Sequence, residues 1–151
     1  GRYELYRLLP LGGERLTEGI AAAFGLPRDE AEARKRQQPL DELLSQSVGR
    51  PGLSGTVQTL LDAVAQTLEY LRPRSAAAGN EPAVDGLVLA GGGALQPGMV
   101  SFLQEELGYP TELVDVSAAV EREAAQAEGL NADGPVFAAA LGLALRGLRE
   151  P

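Results

Sequence analysis

The chain has 151 residues, 44% of them hydrophobic, and a formal net charge of −8. A chain of this length and composition can bury one core of ordinary size. The chain contains neither cysteine nor histidine. Disulfides, thiolate metal sites and Ser/His or Cys/His triads are therefore excluded within these residues. Its positive residues are scattered and it has no long apolar run, so we expect neither nucleic acid binding nor direct membrane insertion.

The N-terminal segment predicts one strand and two helices. Alternating apolar and polar residues favour a strand over residues 3–9, stopped by Pro10. The stretch GGERLTEGIAAAFG has apolar residues at helical spacing, and Gly25 follows it where a left-handed C-cap residue is expected. Pro27 is typical of a helix start, and acidic residues precede the cations after it, which predicts a second, very polar helix.

The middle of the chain predicts more helix and then a loop. A short helix is expected around residues 40–47. Apolar residues recur on one stripe over residues 53–71, which predicts a long amphipathic helix ended by Pro73. The small and polar residues 73–85 are typical of a mobile loop.

The C-terminal half predicts a strand, helix, strand unit and a last helix. Residues 87–90 are a short apolar run, the pattern of a parallel strand buried on both faces. A helix over residues 97–107 and a strand at TELVDV follow it. Residues 135–149 are apolar almost all round and open with proline, which predicts a buried helix packed on the sheet. This order of elements indicates an α/β layer structure with a helical insert.

A run of three glycines follows the first strand of that unit: Gly91, Gly92 and Gly93. Glycines at the end of a strand and before a helix allow close approach of a ligand to the backbone, and the free amides there favour an anion. The spacing matches neither the Rossmann fingerprint nor a P-loop. The run alone is equally typical of a tight turn, so both interpretations stay open.

The polar helix carries an acid and a base three residues apart, Glu32 and Lys35. Residues at this spacing are neighbours on one helix face. They could form a solvated salt bridge worth roughly 0.2–0.5 kcal/mol, or they could hold a ligand. The residues alone favour the salt bridge.

Four segments of the chain resemble segments of a known superfamily and follow one another in the same order as they do there. They are LPLGGERLTEGIAAAFGL, AEARK, LAGGGALQPGMVSFLQEELGYP and PVFAAALGLALRGL. Together they resemble the second half of an actin-like ATPase, most closely the PilM type of type IV pilus assembly protein and next FtsA of cell division. The resemblance implies a three-layer, ribonuclease H-like α/β lobe that lacks its first two strands. Residues 1–26 and 84–151 would form this lobe, and residues 27–83 a mostly helical insert that includes the loop 73–85.

The resemblance also assigns the candidate site. The glycine run would pack its backbone against the adenine and ribose of a nucleotide. Glu32 would accept the ribose hydroxyls and Lys35 would lie near the phosphates. Leu95 stands where the large heat-shock chaperones of this superfamily carry an arginine against the adenine, so stacking there is expected to be weaker. The pair Gly12 and Gly13 matches a structural turn of the superfamily.

The function implied by the resemblance is that of a cytoplasmic ATP-binding scaffold for pilus extension and retraction. It would lie at the inner membrane by docking the N-terminal tail of a PilN-like protein, mainly through a first lobe outside this chain. Magnesium and the catalytic carboxylates would also be held outside it, so we expect no catalytic residue here and at most a weak ATPase in the full-length protein. An open sheet edge near residues 3–9 leaves self-association open.

The sequence alone leaves three alternatives open. The first is an FtsA-like cell-division protein, and the second is a sugar or acetate kinase of the same superfamily. The third is an interaction module that binds no nucleotide, in which the glycines serve only a turn.

Overall fold

The computed structural model describes residues 5–77, 84–116 and 127–149. In chain order, these residues form α1 (Gly13–Phe24), α2 (Arg28–Gln37), α3 (Leu40–Gln46), α4 (Leu53–Ala77), β1 (Leu87–Leu89), a 3₁₀ helix (Gly92–Leu95), α5 (Met99–Leu107), β2 (Thr111–Leu113) and α6 (Ala127–Arg149). The structure is therefore mostly helical with one small sheet. We use the name glycine turn for residues 91–95, which comprise Gly91 and the 3₁₀ helix.

The first three helices confirm the sequence-based predictions. α1 ends at Gly25, which has a left-handed backbone (φ 65°) and donates its N–H to the carbonyl of Ala21. α2 starts directly after Pro27, with acidic residues in its first turn and cations in its last, as the helix dipole favours. α3 is short, as predicted, and at its C-terminal end the backbone N–H of Ser47 donates to the carbonyls of Leu43 and Leu44.

The prediction that Pro73 ends α4 was wrong, because the helix runs to Ala77. Proline lacks the N–H for one helical hydrogen bond and crowds the carbonyl four residues before it. A long helix has enough other hydrogen bonds to tolerate the loss of this one. Of the loop predicted over residues 73–85, residues 73–77 are therefore helical and residues 84–85 are irregular, while the remainder lies outside the described residues.

The parallel pairing expected for the C-terminal half is confirmed. β1 and β2 pair in parallel with Val88 opposite Glu112, and α5 connects them. The expectation that β1 is buried on both faces was wrong: Val88 is 61% exposed. An unbroken apolar run predicts a strand but does not determine what covers it.

The strand predicted over residues 3–9 is not present in the described part of that segment. Residues 5–9 are irregular, and residues 3 and 4 lie outside the described residues. Tyr6 and Leu8 are more than 80% exposed. Alternating polarity does not make a strand when no neighbouring strand supplies hydrogen bonds.

α6 is longer and more exposed than the sequence predicted. It begins at Ala127 and contains Pro135 in its interior. Val136, Phe137 and Leu143 are between 47% and 72% exposed, so the prediction of a buried helix was wrong. Its contact with the rest of the chain includes a hydrogen bond from the N–H of Gly91 to the carbonyl of Pro135, at 2.7 Å.

One apolar cluster forms the core, and five helices contribute to it. Its buried members are Leu16, Ile20, Ala23, Ala31, Leu40, Leu43, Leu53, Val57, Met99 and Leu103. Both the predicted lobe and the predicted insert supply residues to this cluster. Each fully buried leucine or isoleucine contributes about 1.5–3 kcal/mol relative to an exposed position. The core therefore fixes α2 against α1, which is the arrangement that builds the candidate site.

Among the described helices, none combines the length and apolar character of a membrane span.

Candidate functional site

The start of α1 and the glycine turn meet backbone to backbone. A Cβ placed on Gly93 would lie 3.0 Å from the nitrogen of Gly13 and 3.3 Å from its Cα. A Cβ on Gly13 would lie 3.3 Å from the Cα of Gly93. Because these neighbours are main-chain atoms, which move aside less easily than a flexible side chain does, both positions favour glycine.

Lys35 lies at this junction and is only 7% exposed. Its ammonium donates to Glu32 Oε2 at 2.5 Å, to Thr17 Oγ1 at 2.8 Å and to the carbonyl of Gly13 at 3.1 Å. A lysine has three N–H donors, so all three are used within the chain. Lys35 therefore holds α2 against the first turn of α1.

Glu32 accepts three hydrogen bonds. Lys35 and the fully buried Thr17 both donate to its Oε2, Thr17 at 2.6 Å, and Arg36 donates to its Oε1 at 2.9 Å. Burial of the carboxyl raises its pKa, but the hydrogen bonds from Lys35, Thr17 and Arg36 outweigh this and lower the pKa to about 2. The group is thus a carboxylate at neutral pH.

A cleft of about 630 Å³ separates the glycine turn from α2. Gly92, Gly93 and Leu95 line the glycine wall, and Glu32, Lys35 and Arg36 line the α2 wall. Asp133 and Val136 of α6 also line the cleft. The cleft is within the usual size range of small-molecule sites. The structure thus brings together five of the six residues that the sequence analysis selected.

The sixth residue, Gly91, is not among the residues that line this cleft. Its φ is 89°, and its N–H is bonded to Pro135 of α6. It lines an adjoining apolar cavity of about 390 Å³ between α1, α4 and β1, which Leu16 and Leu60 also line. Gly92 and Gly93 line both this cavity and the cleft. Gly91 thus anchors the turn to α6, while the two following glycines present bare backbone to the cleft.

A further ion pair, between Glu14 and Arg28, also lines the cleft. Arg28 donates to both carboxylate oxygens of Glu14 at 2.8 Å. The hydrogen bond from Arg28 lowers the pKa of Glu14. Glu14 and Arg28 are both largely exposed, so we assign the pair little energy.

The comparisons with known proteins identify the family. The family model described as "Type IV pilus assembly protein PilM" matches residues 3–148. The chain belongs to the PilM family. This confirms the resemblance drawn from the four sequence segments, and it does not favour the FtsA-like or kinase-like alternatives.

A solved structure described as a PilM-PilN type IV pilus biogenesis complex contains a similar chain. The two sequences are 32% identical, with a TM-score of 0.73. The match covers 96% of the present chain and 39% of the other. The chain therefore spans less than half the length of the related chain.

Sequence reasoning missed several polar residues of this site, among them Thr17, Arg36 and Gln96. Thr17 was overlooked because its neighbours Leu16 and Ile20 are apolar, although a threonine on the buried face of an amphipathic helix is itself a signal. Arg36 lies four residues after Glu32, and this spacing could have revealed it. Gln96 also lines the cleft, and no sequence pattern indicates its role.

Proposed function

We propose that this PilM-family chain supplies the adenosine-binding half of an ATP site in a cytoplasmic scaffold protein of type IV pilus assembly. The observation that carries the proposal is the cleft between the bare backbone of Gly92 and Gly93 and the ionised carboxylate of Glu32. One wall suits a flat apolar base, and the other suits hydroxyl donors.

The glycine wall favours a purine for steric reasons. A Cβ placed on Gly92 would have no atom of the described residues within 4 Å, so a ligand has open space over this backbone. Leu95 is partly buried at the edge of the same wall. Its side chain would pack on the base by dispersion and burial of apolar area, in the absence of an arginine that stacks.

The α2 wall favours a ribose for electrostatic reasons. A carboxylate has about four acceptor sites, and three of those of Glu32 are occupied by Lys35, Thr17 and Arg36. The remaining site would accept one ribose hydroxyl. The side chain of Arg36 is 76% exposed, so it can move away at little cost and release a second site for the other hydroxyl.

Lys35 would act on the ligand through its charge more than through direct contact. Its three donors already hold the carboxylate, the hydroxyl and the Gly13 carbonyl. With the Glu32 carboxylate and Arg36, Lys35 forms a cluster of two cations and one anion, whose net positive charge lowers the energy of nearby phosphates without the loss of these bonds. Magnesium and most phosphate contacts would come from parts of the protein outside this chain.

The proposal extends to fold and partner. The β1–α5–β2 unit is a parallel pair with a helical crossover, which supports an actin-like lobe built from residues 1–26 and 84–151 with an insert at 27–83. The related solved structure is a complex of PilM with PilN, which supports docking of a PilN-like inner-membrane protein, mainly through a first lobe outside this chain. The protein would then work at the cytoplasmic face of the membrane, with weak ATPase activity at most.

The test is calorimetric titration of the full-length polypeptide with ATP and magnesium. Glu32→Gln keeps the shape of the side chain but removes its charge, and we expect ATP to bind about tenfold more weakly, as for the loss of one charge-assisted hydrogen bond. Glu105→Gln changes an exposed glutamate on α5 in the same way and should leave the affinity unchanged. Absence of any heat with the unaltered protein would overturn the proposal in favour of the nucleotide-free module, and equal weakening by both variants would also contradict it.

A further inference from the structure

Gln96 lies directly after the glycine turn and is only 5% exposed. Its side-chain Nε2 donates to the carbonyl of Gln38 at 2.8 Å and approaches the carbonyl of Pro97 at 3.4 Å. Gln38 is the C-cap residue that follows α2. The amide therefore ties the end of α2 to the end of the glycine turn.

The direction of this amide is fixed by its surroundings. If its nitrogen and oxygen were exchanged, Oε1 would face two carbonyl oxygens, which also only accept hydrogen bonds. In the present orientation Oε1 is buried, and none of the residues that the structure describes donates to it. A buried acceptor without a donor costs free energy. An apolar side chain would avoid this cost but would leave the carbonyl of Gln38 without this donor, so what the glutamine contributes at this position is its contact with the end of α2.

A second hydrogen bond reinforces the same contact. The N–H of Leu40, at the start of α3, donates to the carbonyl of Pro97 at 2.9 Å. The middle of the glycine turn is held by the close approach of Gly93 to Gly13, to which Lys35 is bonded. The two walls of the cleft are thus joined at two points.

We propose that Gln96 is a positioning residue of the nucleotide site. Its amide holds the C-terminal end of α2 against the glycine turn, and this sets the distance from the backbone of Gly92 and Gly93 to the carboxylate of Glu32. A ligand that contacts both walls benefits from this fixed distance, whereas a ligand that contacts only the glycine wall does not. The inference rests on the proposed function, since it concerns the same cleft.

The test compares two ligands in the full-length polypeptide by calorimetry. ATP has the ribose hydroxyls that reach Glu32, and 2′,3′-dideoxy-ATP lacks them. In Gln96→Met, which keeps the length of the side chain but has no N–H, we expect ATP to bind on the order of tenfold more weakly, with little change for dideoxy-ATP. The preference for ATP should therefore fall in this variant.

Gln58→Met is the matched control. Gln58 lies on the exposed side of α4, where its amide bonds to Asp62 at 2.9 Å, and its variant should keep the full preference for ATP. If Gln96→Met weakened both ligands by the same factor, or neither, Gln96 would have only a structural role and the inference would be overturned.

Amide hydrogen exchange separates failure of this inference from failure of the proposed function. If the unaltered protein bound neither nucleotide, the proposed function would fail, and exchange alone would then decide whether Gln96 positions α2. We expect the Leu40 N–H to exchange about tenfold faster in Gln96→Met and at the original rate in Gln58→Met. Unchanged exchange in Gln96→Met would contradict the positioning role whatever the nucleotide result.

Discussion

Leu43 in α3 is fully buried, whereas Leu143 in α6 is 72% exposed. The two residues represent two regions of the chain: the helical region, which comprises α1 to α5, and the sheet region, which comprises β1, β2 and α6. Helices α1 to α5 meet in one closed apolar cluster, but β1, β2 and α6 expose Val88, Leu113 and Phe137. The helical region buries most of its apolar residues within this chain, although Val48 and Tyr70 are exposed, and it supplies the α2 wall of the candidate cleft. The sheet region leaves several of its apolar side chains exposed within this chain.

The largest expected effect follows from this contrast. Leu43→Ala should lower the free energy of unfolding by about 2–5 kcal/mol, because it leaves a cavity in the core. Leu143→Ala removes the same atoms from an exposed position and should cost less than about 0.5 kcal/mol. Urea unfolding of the full-length polypeptide measures both. An equal loss for the two variants would contradict the contrast and would mean that α6 is covered in the folded protein.

The next prediction contrasts two neighbouring glycines of the turn. Gly93→Ala places a methyl group 3.0 Å from the backbone of Gly13, so we expect a loss of about 1–3 kcal/mol in the free energy of unfolding. Gly92→Ala meets no atom of the described residues within 4 Å and should leave stability unchanged. It should nevertheless weaken ATP binding, because the new methyl group would occupy space over the glycine wall.

Thermal unfolding and calorimetric titration of both variants would check this pair. Equal stability of the two variants would show that the close approach of Gly13 and Gly93 is not a constraint. If Gly92→Ala bound ATP as tightly as the unaltered protein, the nucleotide would not lie over the backbone of Gly92. The steric argument for the glycine wall would then fail.

Sequence patterns predicted the helical region well because its determinants are local. Apolar spacing, the glycine C-cap of α1 and the proline before α2 all act within a few residues, and the Glu32–Lys35 pair follows from helix geometry. Local patterns could not predict that Gly91 bonds to α6 while Gly92 and Gly93 line the cleft. Gly91 differs from Gly92 and Gly93 because α6 brings the carbonyl of Pro135 to its N–H, a contact between distant parts of the sequence.

The errors in the sheet region have a related physical cause. The apolar run at residues 87–90 predicts a strand, but the exposure of Val88 depends on which surfaces lie above it. The alternation at residues 3–9 requires a partner strand before it can form a ladder. The error at Pro73 was of the opposite kind. A local signal predicted a helix end there, but the long helix α4 continues through it.

The smallest expected effect concerns the pH dependence of stability in the helical region. The pKa of Glu32 is about 2 in the folded chain and about 4.3 in an unfolded one. Its interactions therefore stabilise the fold fully above about pH 4.3, and this contribution is lost as the pH falls towards 2. Because 26% of the side chain is exposed, solvent screening reduces the contribution to roughly 1 kcal/mol. Glu32→Gln should thus be less stable than the unaltered protein at pH 7, and the difference should shrink between pH 4.3 and 2.

Urea unfolding at several pH values measures this convergence, and Glu105→Gln is the control because it lies outside the Thr17–Glu32–Lys35 cluster. The control should differ little from the unaltered protein over the whole range. A constant difference for Glu32→Gln down to pH 2 would mean that its cost arises from packing of the amide. In that case the charge of Glu32 would not be what holds Lys35 and Thr17 in place, and the α2 wall would lose the electrostatic basis for binding a ribose.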